Sequence, residues 1–311
     1  MADSSECRER EIASPSSAHW RDYLELTKPR ITWLILMSTA VGYFYGLGGT
    51  SAGWTFLSRL NWLALLHTMM GTALIASGTA ALNQWFEREA DRKMRRTAQR
   101  PLPTGRLASG PALQFGIALS VGGFVELCWG VNLLAGLIGA FTLASYLFLY
   151  TPLKQRTWWS TAVGAVPGAM PPVIGYAAAA GALTRESWVL FAILFLWQFP
   201  HFYSIAWMYK DDYARAGIRM LPVVEPDGRS TARQIVLFGV ALIPASLLPG
   251  LMGMAGRFYL AGALLLGLGY LYSGVRVALE RSLVRARSVL MASVVYLPLL
   301  YGLMLLDRPG L

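Results

Sequence analysis

The chain has 311 residues, 55% of them apolar or aromatic and only 14% charged, with a mean hydropathy of +0.45. Soluble domains carry about 25% charged residues, so this composition excludes an ordinary soluble protein, and disorder, collagen and coiled coil with it. The charge is lopsided, 27 Lys and Arg against 17 Asp and Glu for a net +10. In so apolar a chain that excess predicts a membrane protein with unevenly placed cations, not a nucleic-acid binder.

The chain opens with a polar stretch carrying Asp3, Glu6, Glu9 and Glu11. Transit peptides are poor in acids, and secretory signals need an apolar run after a basic start. Neither pattern fits, so residues 1–22 are expected to form a disordered cytoplasmic tail and 23–308 a single transmembrane domain. A helix needs roughly 20 apolar residues to cross a bilayer. Nine stretches qualify: 31–48, 61–82, 111–128, 132–150, 159–180, 187–208, 233–253, 258–275 and 288–306. With a cytoplasmic N-terminus, 23 of the 27 cations fall on the cytoplasmic side and only Arg59, Arg185, Arg257 and Arg308 on the other. Cytoplasmic loops carry such an excess of Lys and Arg. The expected fold is therefore an all-α polytopic membrane protein of about nine transmembrane helices, N-terminus cytoplasmic, in a bacterial inner membrane. Cys7 and Cys128 show neither disulfide nor metal spacing.

Two connections on the cytoplasmic side are long and polar, 83–110 and 209–232, and long ordered loops are commonly functional. They lie four spans apart, a hint of two related four-helix halves, though no residue-level repeat accompanies it. If the second span continues as a helix, Asn83, Glu87 and Asp91 stand at i, i+4 and i+8 and share one face over roughly 12 Å. Carboxylate and amide oxygens suit Mg²⁺, which commonly takes one or two carboxylates plus substrate phosphates. Glu87 and Asp91 repel each other at this spacing unless a cation lies between them. Arg92, Lys93, Arg95, Arg96 and Arg100 follow at once, and Arg forks onto phosphate oxygens bidentately. Acids for a metal beside arginines for an anion, at a membrane surface, are the composition of a diphosphate site opening to the cytoplasm. Pro101, Pro103 and Gly105 are expected to end the helix in a turn.

The sixth stretch holds Gln198, Pro200 and His201. Polar groups inside a membrane are costly and often functional; His201 is either a binding group or a histidine bonded to a neighbouring carbonyl. Lys210, Asp211, Asp212 and Tyr213 follow as a second cluster on the same side. Lys154 and Arg156, like Lys28 and Arg30 around Pro29, either bind phosphate or set topology. His19 and His67 are expected to be structural.

The motif Asn83-x3-Glu87-x3-Asp91 followed by Arg96-Thr97-x2-Arg100-Pro101-Leu102 resembles the first signature of the intramembrane prenyltransferase superfamily. More narrowly, six strings resemble its protohaem IX farnesyltransferase (haem O synthase) branch: Leu26-Thr-Lys28-Pro-Arg30, Asp91-Arg-Lys-Met through Arg100-Pro-Leu-Pro-Thr-Gly105, Tyr150-Thr-Pro-Leu-Lys154-x-Arg156-Thr157, the Gly/Pro-rich run from Gly164 to Gly175, Trp197-Gln198-x-Pro-His201-Phe, and Lys210-x-Asp212-Tyr213 through Pro222. The middle acid is Glu87 where the superfamily more often has Asp, and the second cluster lacks a full Asp-x3-Asp, which puts a second metal ion in doubt.

The resemblance implies transfer of a farnesyl group from farnesyl diphosphate to haem B, with water, giving haem O and diphosphate. It implies Mg²⁺ on Asn83, Glu87 and Asp91, with Arg96 and Arg100 completing the catalytic set. Lys28, Arg30, Lys154, Arg156, Gln198, His201, Lys210, Asp211, Asp212 and Tyr213 become candidate substrate-binding residues, His201 for the haem. It also makes a haem A synthase or a terminal-oxidase assembly protein a candidate partner. The competing readings are a prenyltransferase with an aromatic or quinone-precursor acceptor, and a transporter. Transporters bind at broken helices near the midplane, whereas charge here gathers at one face.

Overall fold

The computed structural model describes residues 19–48 and 61–309. Residues 1–18 of the expected tail, including Cys7, and Arg59 lie outside the described residues; the end of that tail is not disordered as expected, since Trp20, Arg21 and Asp22 are helical. The chain forms helices α1 (Trp20–Leu26), α2 (Pro29–Gly46), α3 (Trp62–Lys93), α4 (Ser109–Gly130), α5 (Leu133–Leu153), α6 (Ser160–Gly168), α7 (Pro171–Ala180), α8 (Arg185–Met208), α9 (Lys210–Arg215), α10 (Leu221–Val224), α11 (Arg229–Leu251), α12 (Arg257–Leu279) and α13 (Leu283–Leu306), with no strand among the described residues. Counting α6 and α7 as one broken segment, eight of these stretches are long and apolar enough to cross a membrane. The first expected span is α2, a helix of 18 residues that is not among those eight.

The starts of these helices follow from local chemistry. Asn61, Asn132 and Ser282 accept the backbone N–H of Ala64, Ala135 and Arg285, satisfying donors that a helix leaves unpaired at its start. Pro29 and Pro171 sit at first-turn positions, where a missing N–H costs nothing. Leu265, Phe258 and Leu299 are exposed on the outside of the bundle, as residues facing lipid must be.

The helices pack in a ring: α2 against α3 and α7, α3 against α4, α4 against α5, then α8 against α11 and α13, and α12 between α11 and α13. Without a hydrophobic drive between helices in lipid, close association depends on small residues. A Cβ on Gly175 of α7 would lie 1.9 Å from the Thr39 carbonyl oxygen of α2, and one on Gly42 equally close to that of Pro172. The two backbones touch there, in the C-terminal half of α2.

Two departures from the expected elements shape the site. The helix holding Asn83 does continue, but it ends at Lys93 and not at the Pro101–Gly105 turn. The backbone N–H groups of Arg95 and Arg96 point to the Asp212 carboxylate instead of prolonging the helical ladder, and the Thr97 hydroxyl donates to the Asp91 carbonyl. A tertiary acceptor from a distant helix thus ends α3 before any proline is reached. In α5, residues Ser145–Tyr150 are π-helical. Pro152 has no N–H to offer the normal ladder; the wider register lets both the N–H and the hydroxyl of Thr151 reach the Tyr146 carbonyl. Such π turns often sit at functional sites.

Candidate active site

A cavity of about 460 Å³ opens among α2, α3, α5, α6, α8 and α13. Its two ends differ in chemistry. One end is charged: Lys28, Asn83, Glu87, Asp91, Arg96, Arg100 and Lys154 all line it. The other is apolar and aromatic, with Leu194, Trp197, Phe202, Val294 and Leu297, and carries Gln198 and His201 as its polar groups.

The last turns of α3 supply the acids, and the i, i+4, i+8 spacing does place Asn83, Glu87 and Asp91 on one wall. Asn83 and Asp91 are buried. Asn83 donates through Nδ2 to the Thr151 hydroxyl at 3.3 Å, which turns its amide oxygen the other way. Lys154 Nζ meets Glu87 Oε1 at 2.8 Å and lies 4.4 Å from the centre of the Tyr150 ring. Burial works against the Lys154 ammonium, but the adjoining Glu87 carboxylate outweighs it, so its pKa stands well above the usual lysine range. Arg100 pairs with Asp91 Oδ2 at 2.7 Å. Asp91 Oδ1 is buried and has no hydrogen-bond partner, a costly state for a carboxylate oxygen unless a further cation or donor meets it.

Lys28 stands at the N-terminal end of α2 in a left-handed conformation, φ 48°, which a lysine rarely adopts. Burial, reinforced by the like charges of Arg100 and Lys154, lowers its pKa to about 7, against the opposing pull of Glu87 and Asp91. Arg96 sits over the Tyr209 and Tyr213 rings, 4.7 and 5.7 Å from their centres, and donates to the Tyr213 hydroxyl at 3.3 Å. Lys28, Arg96, Arg100 and Lys154 outnumber the two carboxylates at this end, so it suits an anion of several charges.

No group of three or more His, Cys, Asp or Glu among the described residues could hold a metal unaided. Two carboxylates and an amide oxygen, one carboxylate oxygen being buried and unpaired, still fit the incomplete set that Mg²⁺ uses when a phosphate supplies the other ligands.

At the other end, Gln198 donates to the Ala165 carbonyl at 3.0 Å, and Gly168 leaves it room: a Cβ there would lie 2.0 Å from its Oε1. His201 Nδ1 lies 2.7 Å from the Ser293 hydroxyl, and its ring stacks on Trp197.

Of the residues singled out in the sequence, Lys28, Asn83, Glu87, Asp91, Arg96, Arg100, Lys154, Gln198, His201 and Tyr213 line this cavity, whereas Arg30, Arg156, Lys210, Asp211 and Asp212 do not. Arg30, Arg156 and Asp211 are exposed. Asp212 is buried behind the wall, holding the Arg95–Arg96 backbone and the Arg215 guanidinium. Tyr146 is a wall residue that the motifs do not single out, although Tyr150, at the end of the same π turn and also in the wall, begins one of them. His67 bonds Glu126 of α4 through Nδ1 at 2.6 Å, away from the cavity.

Residues 35–296 match the UbiA prenyltransferase family. The chain is 78% identical over 291 residues to a protein of Solibacter usitatus named protoheme IX farnesyltransferase, covering 94% of this chain and 100% of that one. It is 48% identical to a protein of the same name from Koribacter versatilis, covering 93% of each. Among solved structures, a digeranylgeranylglyceryl phosphate synthase matches with a TM-score of 0.73 at 18% identity, over 94% of this chain and 99% of that one. A UbiA homolog from Archaeoglobus fulgidus, bound to GPP and Mg²⁺, matches with a TM-score of 0.64 at 16% identity, over 91% of this chain and 99% of its own. At these identities the structures show the shared fold.

Proposed function

The chain belongs to the UbiA prenyltransferase family, and from that premise we propose how its residues act. It is a multi-pass membrane prenyltransferase that transfers a farnesyl group from farnesyl diphosphate to the vinyl group of haem B, with addition of water, giving haem O and diphosphate. The near-full-length match to relatives of that name carries this reading, and no observation favours an aromatic acceptor or transport.

The charged end of the cavity receives the diphosphate. Mg²⁺ held by Asn83, Glu87 and Asp91 would neutralise part of the leaving group's charge as the C–O bond breaks; the solved relative bound to GPP and Mg²⁺ supports such a metal. Arg96, Arg100, Lys28 and Lys154 clamp the phosphate oxygens, and Lys154 and Arg100 are already held at this place by Glu87 and Asp91. Prearranged charge of this kind is commonly the largest catalytic contribution. The apolar walls take the farnesyl chain and exclude water from the allylic cation until the haem vinyl carbon has bonded to it. His201 contacts the haem as a ligand of its iron, with Gln198 beside it. Asp212 acts from behind the wall by holding the segment that carries Arg96.

The cation bias supports placing the N-terminus and the charged end in the cytoplasm, and an inner-membrane location in a bacterium. A haem A synthase would consume the product and is the partner class to seek by co-purification. The activity test is direct: membranes holding the chain are given farnesyl diphosphate and Mg²⁺, and the extracted haems are chromatographed. A farnesylated haem is expected; its absence with a folded, inserted protein refutes the reading.

A further inference from the structure

Two residues that are bonded to each other, Trp197 and Ser293, hold the His201 ring. It stacks on Trp197, one helical turn earlier on α8, with ring centroids 4.7 Å apart. The indole N–H of Trp197 donates at 2.9 Å to the backbone carbonyl of Ser293 on α13. The Ser293 hydroxyl oxygen lies 2.7 Å from His201 Nδ1. That hydroxyl carries a single proton, for which the Leu290 carbonyl at 2.6 Å is an acceptor, and Ser293 also hydrogen-bonds the Tyr270 side chain. With the proton on that carbonyl, the oxygen accepts from His201 Nδ1–H, one of the two tautomers that the 2.7 Å contact allows. A neutral imidazole with its proton on Nδ1 has its lone pair on Nε2. Ser293 is fully buried and does not border the cavity, while His201 does, so the ring edge left to the cavity is the one bearing Nε2.

We propose that Ser293 is a positioning residue: it fixes the tautomer and orientation of His201 so that Nε2 is presented, unprotonated, to the iron of the haem substrate. This deepens the haem reading of the cavity and rests on it. A ligating histidine typically donates its other ring N–H to an outer partner, whose loss costs about 10- to 100-fold in metal affinity. A serine that gives its own proton to a helix carbonyl is such a partner, accepting from Nδ1.

The test is a titration of haem B into the purified full-length protein, in detergent, followed by the position of the Soret band and by affinity. Ser293→Ala removes the acceptor. Ser293→Thr restores it, and Ser293→Cys keeps the volume with a weak sulfur acceptor, so it decides the matter should the alanine variant fail to fold. The wild type and Ser293→Thr are expected to give a shared spectrum, shifted from that of haem in detergent alone and lost in His201→Ala. Ser293→Ala and Ser293→Cys, at wild-type helical content, are expected to bind about 10-fold more weakly with a displaced Soret band. A spectrum and affinity unchanged in both overturns the proposal while leaving the haem reading intact, as does a wild-type spectrum retained in His201→Ala. If the wild type binds no haem at all, the reading itself falls, and the proposal with it.

Discussion

The two ends of the cavity hold their polar groups by different means. At the charged end every acid is tied to a cation: Glu87 to Lys154 and Asp91 to Arg100, with Lys28 and Arg96 close by. At the other end nothing is ionised by pairing; Gln198 and His201 are held by a carbonyl and a hydroxyl, and the walls around them are apolar. The first arrangement suits a ligand that arrives as a polyanion and leaves as one. Its ion pairs can be exchanged for pairs with the ligand at little net cost, because buried charges only need some partner. The second suits a large, flat, mostly apolar acceptor that must be aimed and not neutralised.

The largest effects should come from breaking the charged end. Asp91→Asn removes the charge that holds Arg100 and with it the carboxylate offered to Mg²⁺. Turnover to farnesylated haem is expected to fall at least about 100-fold, with insertion and helical content unchanged; normal turnover would remove Asp91 from the metal set. Lys154→Met leaves the Glu87 carboxylate without its partner and should destabilise the protein by about 3 kcal/mol, read as a lower melting temperature in detergent. Adding Glu87→Gln should restore the stability but not the turnover. If the double variant regains activity, the pair is structural and the charged end does not clamp a diphosphate.

His201→Ala tests the other end and should act more narrowly. Apparent affinity for haem is expected to weaken by at least the factor of about 10 expected of Ser293→Ala, while farnesyl diphosphate is still retained, measured by binding of each substrate alone. Loss of both in equal measure would mean that the two ends are not separable.

The same contrast explains what could be read from the sequence. The face shared by Asn83, Glu87 and Asp91 is a matter of helical period, and periodicity survives any tertiary context that keeps the helix. The apolar stretches were equally readable, since the bilayer imposes their length. Lys210–Tyr213 was not, because a cluster in sequence does not say which face of a short helix turns inward. Within α9, Tyr213 reaches the cavity, Asp212 turns to the backbone of Arg95 and Arg96, and Asp211 faces outward. The end of α3 at Lys93 was hidden for the same reason: the acceptor that stops it lies in α9. Ser293, an ordinary serine in an apolar span, carries no motif at all; only the fold brings it to His201.

Lys28 offers the smallest effect and the finest test of the charged end. Its lowered pKa of about 7 means that the folded protein releases this proton far earlier than the unfolded chain, where the ordinary value of 10.5 applies. Between those two values the unfolded state binds more protons, so this group makes stability rise with pH across the window, and its full cost is present below about pH 7. Lys28→Met removes the cost. The variant should therefore melt a few degrees higher than the wild type near pH 6, with the gap closing as the pH is raised toward 9. Diphosphate with Mg²⁺ should shrink the gap at the acidic end, because an anion beside the ammonium offsets the repulsion from Arg100 and Lys154 that helps to lower its pKa. A gap that is constant in pH, or that diphosphate leaves unchanged, would show that Lys28 titrates elsewhere and takes no part in holding the anion.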